Sequence, residues 1–335
     1  MKKLLPVLLL LLVSCSSNKE VKENKATLLG SVETIDPSFS EIIADNTQAE
    51  VVAKGFDWSE GPVWVESQKM LLFSDVPQNV VYKWTESKGA EEYLRPSGFT
   101  GTTTRSTEPG ANGLIIDDQG RLVLCQHGDR RIGFMEAALD APAVKYGSIA
   151  KSFNGKKFNS PNDIVQGKDK SFYFTDPPYG LGNRDETDPE KEIPFQGVYK
   201  IAPNGKVYLL VDSISRPNGI GLSPDNKFLY VASSDPQKPR WYRYELGDTS
   251  VVSGKIFYDA SSDAAGSPGL PDGFKVTSKG NLFASAPGGV FVFNPEGKVI
   301  GKIKLEAPCA NTALTPDEKW LFITNDSLLL RVPLK

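Results

Sequence analysis

Histidine is nearly absent from this chain of 335 residues, which contains only His127, and cysteine is scarce, at three residues. A metal site built from a cluster of histidines is therefore excluded. An excess of basic charge is also missing, because the formal net charge is −3 and no charged run exceeds a few residues. Nothing indicates a nucleic-acid surface, and we expect small molecules to be the partners of this protein.

A hydrophobic run of about 20 residues, long enough to cross a bilayer, is missing from the N-terminus. The segment "MKKLLPVLLLLLVSC" instead has two lysines and a short leucine-rich run, which is the form of a secretory signal peptide. Its end, Leu12-Val13-Ser14-Cys15, resembles the lipobox of bacterial lipoproteins, in which the cysteine is lipidated. The alternative is an ordinary signal peptide in which Cys15 occurs by chance.

The lipobox resemblance implies an exported lipoprotein. We predict a signal peptide at residues 1–14 and a lipidated Cys15 that begins a polar, flexible tether at residues 15–45. Ser16 stands where the inner-membrane retention signal of such lipoproteins has aspartate. The prediction is therefore an outer-membrane anchor, with a monomeric globular domain at residues 46–335 that faces the periplasm.

Long helical patterns are scarce, whereas Gly (30) and Pro (24) are plentiful, which favours many short strands. One motif occurs six times: a residue with a side-chain oxygen, a short apolar run, a turn and a second apolar run. Two typical copies are "NGLIIDDQGRLVLCQ" and "NGIGLSPDNKFLYVAS". The six copies begin, in order, at Glu60, Asn112, Asn162, Asn218, Asp272 and Asn311.

The intervals between the copies, 52, 50, 56, 54 and 39 residues, are typical of propeller blades with four short strands each. Each copy forms an antiparallel hairpin that cannot bury its apolar faces alone. We therefore predict an all-β fold, a six-bladed β-propeller with four-stranded blades. The apolar stretch at residues 50–56 is expected to join the last blade and close the ring, which removes exposed strand edges.

Two cysteines remain in the predicted propeller, Cys125 and Cys309. An exported protein could pair them in a disulfide. They lie in or beside the second and sixth copies of the motif, which need not be neighbours in space. We therefore predict two buried free thiols.

The innermost strand of a propeller blade lines the central channel. If the first strand of each motif is innermost, the six opening side chains, two carboxylates and four amides, gather at one end of that channel. The residues that follow the return strands then form the rim at the same end. These are Asp75, His127, Asp176-Pro177-Pro178-Tyr179, Asp235 and Ala286–Gly289.

Two unpaired carboxylates in a narrow channel, Glu60 and Asp272, repel each other and lose hydration. A divalent cation relieves both costs, and oxygen ligands without a histidine or cysteine cluster suit a hard ion such as Ca²⁺. Mg²⁺, Mn²⁺ and Zn²⁺ remain alternatives. A second interpretation is that Asn-Gly and Asp-Gly only form tight turns, although the glutamate of the first copy is not a turn residue.

Seven further motifs follow one another from about residue 50 to the C-terminus: "EGPVW", "SPNDI", "FTDPPYG", "FQGVYK", "RPNGIGLSPD", "LPDGFKV" and "APGGVFVF". Together they resemble the senescence-marker/gluconolactonase/luciferin-regenerating family, and most closely its bacterial gluconolactonase branch. The resemblance implies a six-bladed propeller with one divalent metal, usually Ca²⁺, at the mouth of the channel.

The resemblance also implies roles for single residues. The metal ligands would be Glu60, Asn162, Asn218 and Asp272. Asp272 would also be the base or the nucleophile, and in some members the residue matching Asn162 contacts metal-bound water or the substrate instead. Asn112 and Asn311 match no usual ligand, so we assign them to substrate binding or to hydrogen bonds that support the ligands.

Two residues of the predicted rim have alternative interpretations. His127 is either a substrate contact or proton shuttle with a pKa near the working pH, or a structural histidine bonded beside Asp129 or to a carbonyl. Tyr179 either contacts substrate or belongs to a rigid turn. For Asp176, in the same turn, we favour the structural interpretation.

The resemblance implies a lactonase that opens sugar lactones, with the metal polarising the ring carbonyl and Asp272 deprotonating water or attacking directly. One alternative keeps the site and changes the substrate to a phosphotriester or to another lactone or ester. The substrate would then be selected by rim loops at residues 98–111, 126–147, 180–196 and 260–270. Another alternative is a metal-stabilised propeller that binds carbohydrate without catalysis.

Overall fold

The computed structural model describes residues 26–103 and 106–335. The predicted signal peptide, Cys15 and the first part of the predicted tether lie outside these ranges. The regular structure described is nearly all β, with two short 3₁₀ helices, η1 (Pro37–Glu41) and η2 (Glu66–Gln68). In these ranges no helix has the length and apolar character needed to cross a membrane.

The strands form six sheets arranged as blades. From the innermost strand outward the strands of each blade follow chain order, except that strands from the N-terminal segment take the outer positions of blades 5 and 6. Three strands precede the repeats: β1 (Leu28–Leu29), β2 (Ser31–Thr34) and β3 (Ala49–Lys54). Blades 1 and 2 contain β4 (Ser59–Val65), β5 (Met70–Asp75), β6 (Val80–Thr85), β7 (Gly89–Leu94), β8 (Ala111–Ile116), β9 (Leu122–Gln126), β10 (Arg131–Met135) and β11 (Tyr146–Ala150). A small hairpin follows, made of β12 (Ser152–Phe153) and β13 (Lys156–Lys157). Blades 3 and 4 contain β14 (Ile164–Gln166), β15 (Phe172–Asp176), β16 (Gly197–Ile201), β17 (Val207–Val211), β18 (Pro217–Leu222), β19 (Phe228–Ser233), β20 (Arg240–Leu246) and β21 (Val251–Asp259). Blades 5 and 6 contain β22 (Phe274–Val276), β23 (Leu282–Ala286), β24 (Gly289–Phe293), β25 (Val299–Lys304), β26 (Cys309–Leu314), β27 (Trp320–Asn325) and β28 (Leu328–Pro333).

The six innermost strands form a closed ring. Strand β4 contacts β8, β8 contacts β14, and the contacts continue through β18, β22 and β26 back to β4. The predicted six-bladed propeller is therefore confirmed. Aromatic and aliphatic side chains fill the junctions between blades; for example, Trp64 of blade 1 stacks on Phe322 of blade 6, with ring centroids 5.6 Å apart.

The predicted closure of the ring is also confirmed. Strand β3 pairs with β28 and so becomes the fourth strand of blade 6. The predicted extent of the flexible tether, to residue 45, is wrong: β1 pairs with β3, and β2 adds a fifth strand to blade 5 beside β25. Phe39 of η1 is fully buried there. Burial of one such side chain contributes about 2–3 kcal/mol, an interaction that the polar composition of the segment concealed.

Candidate active site

The motif residues lie where the innermost strands begin, at breaks in regular pairing. In blades 1, 2, 4 and 6 the register between the first two strands shifts at or beside the motif residue, as after Glu60 in blade 1. In blades 3 and 5, Asn162 and Asp272 precede the first paired residue of their strands. Such irregularities release a strand from its ladder and redirect its side chains. They permit residues from six blades to converge at one end of the channel.

The glycine after the motif residue serves close packing between blades rather than a turn. A Cβ on Gly273 would lie 1.9 Å from Cγ of Asn311 in the next blade, and one on Gly219 would lie 2.3 Å from the carbonyl oxygen of Asp272. Neither glycine has a positive φ, whereas Gly61 has a φ of 52°. Tight turns alone therefore do not account for the motif.

Five of the six motif residues line one cavity at the mouth of the channel, with a volume of about 350 Å³. They include all four predicted metal ligands and Asn112. The side chains and backbone around them are Trp58, Glu108, Tyr179, Arg184, Arg216, Ser234, Gly269, Leu270, Pro308 and Cys309. Both remaining cysteines of the described chain are buried free thiols, as predicted, and Cys309 is one of these lining residues.

Three carboxyl groups interact at the floor of the cavity. Burial raises the pKa of Glu60, and the nearby charge of Asp163 raises it further. Burial also raises the pKa of Asp272 well above its usual value, with added repulsion from Glu60 and Asp163. Without a cation, Glu60 and Asp272 therefore retain their protons to higher pH than exposed carboxyl groups do. Asp163 directly follows the motif residue Asn162, but its local sequence does not distinguish it from an aspartate that only accepts hydrogen bonds at the start of a strand.

Several oxygens of the lining residues lack a partner. Asn112 Oδ1, Asn162 Oδ1 and Asp272 Oδ1 are buried and have no hydrogen-bond partner within the described residues. Asn218 has a defined orientation, because its Nδ2 donates to Ser234 Oγ at 2.8 Å, which leaves Oδ1 as its free end. A buried acceptor without a partner costs about 1–3 kcal/mol. This concentration of unpaired oxygens indicates a site that requires an electropositive ligand.

The donor set fits a hard divalent cation. Carboxylate and amide oxygens are the ligands that Ca²⁺ prefers, and among the described lining residues sulfur is limited to the single thiol of Cys309. Among the described residues no group of three or more His, Cys, Asp or Glu side chains is arranged to hold a metal. The amides of Asn162 and Asn218 would therefore have to complete a site begun by Glu60 and Asp272.

Asn311 lies behind the cavity rather than in its lining. Its Nδ2 is 3.4 Å from Glu60 Oε2. Its Oδ1 accepts from the backbone N–H of Thr312 at 2.8 Å, which defines the end of the amide that points to Glu60. Of its two predicted roles, support of a ligand is the one that this position favours.

Most of the predicted rim serves the scaffold instead of the cavity. Asp75 accepts from the backbone N–H groups of Asp57 and Trp58, and Asp176 accepts likewise from Asn159 and Ser160. Each carboxylate thus holds the loop that leads into its own innermost strand, which favours the structural interpretation of Asp176. Asp235 and residues 286–289 do not line the cavity, whereas Tyr179 does.

His127 also lies outside the lining, and its side chain is fully buried. Burial, with a smaller effect of the charge of Arg184, lowers its pKa to about 3. Neither ring nitrogen has a hydrogen-bond partner among the described residues, so the predicted bond to a carbonyl or beside Asp129 is not present there. A neutral, inaccessible imidazole does not fit the prediction of a substrate contact or proton shuttle, because a shuttle must reach solvent or substrate and titrate near neutral pH.

The motif analysis missed three charged residues of the lining: Glu108, Arg184 and Arg216. Glu108 and Arg184 lie in two of the loops expected to select the substrate, residues 98–111 and 180–196. Arg216 could have been found, because it immediately precedes the motif "PNG". The predicted loop at residues 260–270 also reaches the cavity, through Gly269 and Leu270, whereas no residue of 126–147 is among the lining.

Comparison with known proteins agrees with this architecture. A family model described as SMP-30/Gluconolactonase/LRE-like region matches residues 58–327. The gluconolactonase of Zymomonas mobilis is 36% identical over 327 residues, which cover 95% of this chain and 90% of that protein. The pentonolactonase of Haloferax volcanii is 24% identical over 287 residues, 83% of this chain and 84% of that one.

A solved structure of a gluconolactonase also resembles this protein. A gluconolactonase from Xanthomonas campestris superposes with a TM-score of 0.78 at 27% identity, covering 92% of this chain and 98% of that one. The family match spans well over half of the chain and includes every motif residue that converges on the cavity. This protein therefore belongs to the SMP-30/gluconolactonase/LRE-like family.

Proposed function

We propose that this protein is a lactonase that hydrolyses sugar lactones in the cavity at the channel mouth, with one divalent cation as cofactor. We expect this cation to be Ca²⁺ in preference to Mg²⁺, Mn²⁺ or Zn²⁺. Family membership and a gluconolactonase that is 36% identical over nearly the whole chain support lactone hydrolysis. The cation would be held by Glu60, Asn162, Asn218 and Asp272. Asn112 and Tyr179, which line the same cavity, are left to contact the substrate.

One observation carries the proposal: buried oxygens without partners are concentrated in the cavity beside two carboxyl groups of raised pKa. Unpaired buried oxygens destabilise a folded protein, and they are retained where the group has a function such as binding a ligand. Protonation would relieve the carboxyl groups but not the amide oxygen of Asn162, which is one of the proposed ligands. A cation relieves both, which is why we prefer it to a site that remains protonated.

The reaction requires an electrophile, a base and an oriented substrate. A bound divalent cation would supply Lewis acidity toward the lactone carbonyl. As a base, Asp272 would accept a proton from the attacking water and return it to the ring oxygen, which leaves as a hydroxyl when the ring C–O bond breaks. As a nucleophile, it would attack the carbonyl carbon itself, the ring oxygen would leave and take up a proton from water, and a second water would hydrolyse the resulting mixed anhydride and restore the carboxylate. Asn112 would donate its amide N–H groups to substrate oxygens and reduce the entropy lost in reaching the reactive geometry.

The test measures acid release from glucono-δ-lactone by chelator-treated protein, with and without Ca²⁺ and corrected for spontaneous hydrolysis. Glu60→Gln removes one proposed ligand, and Glu306→Gln, at an exposed glutamate, is the matched control. We expect Ca²⁺ to restore turnover in the native protein and in Glu306→Gln but not in Glu60→Gln. Equal turnover with and without metal would contradict the cation. Thermal stabilisation by Ca²⁺ without turnover of any lactone would contradict the lactonase and favour a carbohydrate-binding propeller.

We also propose that the protein is exported and anchored in the outer membrane through Cys15. The support is the N-terminal sequence alone, with its two lysines, leucine-rich run and lipobox-like end. In this position the propeller would act on lactones in the periplasm.

A further inference from the structure

The cavity contains one arginine without a partner. Arg216 is partly buried and lines the cavity. Within residues 26–103 and 106–335, no hydrogen bond or ion pair of its guanidinium is present, although its backbone is held on both sides. Its N–H donates to Gln196 Oε1 at 2.7 Å, and its carbonyl accepts from Ser234 at 3.0 Å. A guanidinium has five N–H donors in a planar arrangement. When it is unpaired in a cavity, it can bind a ligand group that accepts hydrogen bonds.

The second arginine of the cavity provides the contrast. Arg184 Nη2 is 2.6 Å from Glu108 Oε1, and its Nη1 is 3.5 Å from Thr107 Oγ1. Its charge is therefore already used inside the protein, where it also opposes the effect of burial on the pKa of Glu108. Of the two arginines among the described lining residues, Arg216 is the one that leaves its full set of donors to a ligand.

The backbone of Arg216 is in an unusual conformation for a long side chain. Its φ is 49°, in the left-handed region that costs an L-residue about 1–2 kcal/mol. Glycine would occupy this position without strain. Arg184 has a similar φ of 58°, so the conformation does not by itself distinguish the two arginines. At Arg216 the backbone bonds to Gln196 and Ser234 hold it and so fix the position from which the side chain enters the cavity.

The charges around Arg216 decide the kind of ligand. Among the described lining residues, Glu60, Glu108 and Asp272 oppose two arginines. Beneath them, Asp163 and Lys275 act on Glu60 with opposite charges, so a divalent cation would leave the cavity positive. Arg216 is also close to Tyr179: burial raises the pKa of the Tyr179 hydroxyl, and the charge of Arg216 opposes this increase. An anionic group near Arg216 would therefore be attracted, while the ring carbonyl would lie toward Asp272.

We propose that Arg216 is a specificity-determining residue that binds an anionic substituent of the substrate, so that the preferred substrate is a sugar lactone bearing a carboxylate or phosphate away from the ring carbonyl. The inference rests on the proposed lactonase function and names the substrate class of the same site. A bidentate contact between guanidinium and anion is among the stronger polar contacts in proteins. Its contribution would be made to ground state and transition state alike, and would therefore change KM more than kcat.

The experiment compares three lactones with the full chain loaded with Ca²⁺: neutral glucono-δ-lactone, its 6-phosphate, and a glucarolactone with a free carboxylate. The variants are R216Q and R216K, and R243Q is the control, because Arg243 lies over the Phe228 ring and outside the cavity. We expect kcat/KM of the native protein to be at least 10-fold higher for one anionic lactone than for the neutral one. The lactone with the higher value identifies the anion as carboxylate or phosphate.

R216Q should lose roughly 10- to 100-fold more on that anionic lactone than on glucono-δ-lactone, mainly through KM. R216K, which keeps the charge but not the fork, should lose less, and R243Q should behave as the native protein does. If R216Q lost the same factor in kcat/KM on neutral and anionic lactones, the inference would be overturned. Every lactone yields a carboxylate on opening, so only the anionic substituent can produce a difference between these substrates.

A calorimetric titration separates this inference from the lactonase proposal. Glucarate, gluconate and 6-phosphogluconate are titrated into the native protein and into R216Q, and no turnover is needed. We expect glucarate or 6-phosphogluconate to bind at least 10-fold more tightly than gluconate, and R216Q to lose that difference. If none of the lactones is hydrolysed, the lactonase proposal fails and this titration alone decides the role of Arg216. The absence of any difference in affinity would overturn it.

Discussion

The side-chain amide of Asn311 joins Lys275 to Glu60 beneath the cavity. Lys275 Nζ lies 3.2 Å from Asn311 Oδ1, and Asn311 Nδ2 lies 3.4 Å from Glu60 Oε2. The ammonium also approaches the Phe274 carbonyl oxygen at 3.2 Å, and its charge lowers the pKa of Glu60 against the larger effect of burial. The buried carboxyl group thus has two hydrogen-bond donors, the Gly61 N–H at 2.6 Å and the Asn311 amide, and behind the amide a compensating positive charge.

Asn311→Leu should weaken Ca²⁺ binding about 10- to 100-fold, as loss of a residue that orients a metal ligand generally does. Leucine has a similar volume but removes the side-chain donor to Glu60 and one of the two acceptors of Lys275. The measurement is the Ca²⁺ dissociation constant by calorimetry. Unchanged affinity, together with an unchanged melting temperature in chelator, would remove Asn311 from the site.

Asp272→Asn should lower kcat on the preferred lactone by about 10²–10⁴-fold, since an amide can neither accept the proton nor attack. The melting temperature should not fall, because asparagine fits the same space. Asp140→Asn, at an exposed aspartate, is the control and should match the native protein.

A single turnover in H₂¹⁸O distinguishes the two roles of Asp272. If Asp272 is a base, the label enters the product acid directly. If it is a nucleophile, its attack gives a mixed anhydride of Asp272 and the opened sugar acid, and water that hydrolyses this anhydride at the aspartate carbon leaves the label in the protein after the first turnover. Label in the protein therefore identifies the nucleophile. Near-native kcat for Asp272→Asn would contradict both roles.

The metal-free protein should become less stable as the pH rises. The raised pKa values of Glu60 and Asp272 mean that the folded chain binds protons more tightly than the unfolded chain does. Their stabilising contribution is thus complete below the unfolded value of about 4 and is lost as the pH rises through the folded value. Asp176, whose pKa burial raises to about 7, acts in the same direction.

Melting curves in chelator from pH 4.5 to 8.5 test this dependence. Ca²⁺ should raise the melting temperature more at pH 8 than at pH 5, because at low pH it must displace protons from Glu60 and Asp272. An increase that is the same at both pH values would show that these two carboxyl groups do not bind the cation.

His127→Leu should retain turnover within threefold and leave the pH–rate profile unchanged. The imidazole is buried, neutral and without hydrogen-bond partners among the described residues, so an apolar side chain of similar size is expected to be neutral or stabilising. Activity and melting temperature are measured together. A loss of two orders of magnitude in a folded variant would restore His127 to the mechanism.

Cys15→Ser should release the protein from the membrane fraction of cells that express the full chain. Metabolic labelling with palmitate should mark the native protein and not the variant. Membrane association that the substitution leaves intact would contradict the lipoprotein prediction.

Much of the fold was predictable because a propeller repeats its pattern. Hydrophobic alternation and turn residues recur at near-constant spacing, and each hairpin must stack on the next, so the number of copies gives the number of blades. The polar segment containing β1, β2 and η1 was not predictable from pattern. The apolar residues of this segment, such as Phe39, are few and separated by polar residues. Their burial depends on pairing of the segment with the edge strand of blade 5.

The candidate site divides in the same way. By itself the sequence determined the converging residues Glu60, Asn112, Asn162, Asn218 and Asp272, since each opens an innermost strand and the ring brings such positions to one mouth. Only the tertiary structure decided which other charges reach that mouth. Arg216 and Glu108 enter from loops, whose paths no periodicity describes, whereas His127 lies out of reach because packing around Gly180 encloses it. Strand periodicity determines where a side chain starts, but contacts between segments far apart in sequence determine whether it reaches solvent, a partner or a ligand.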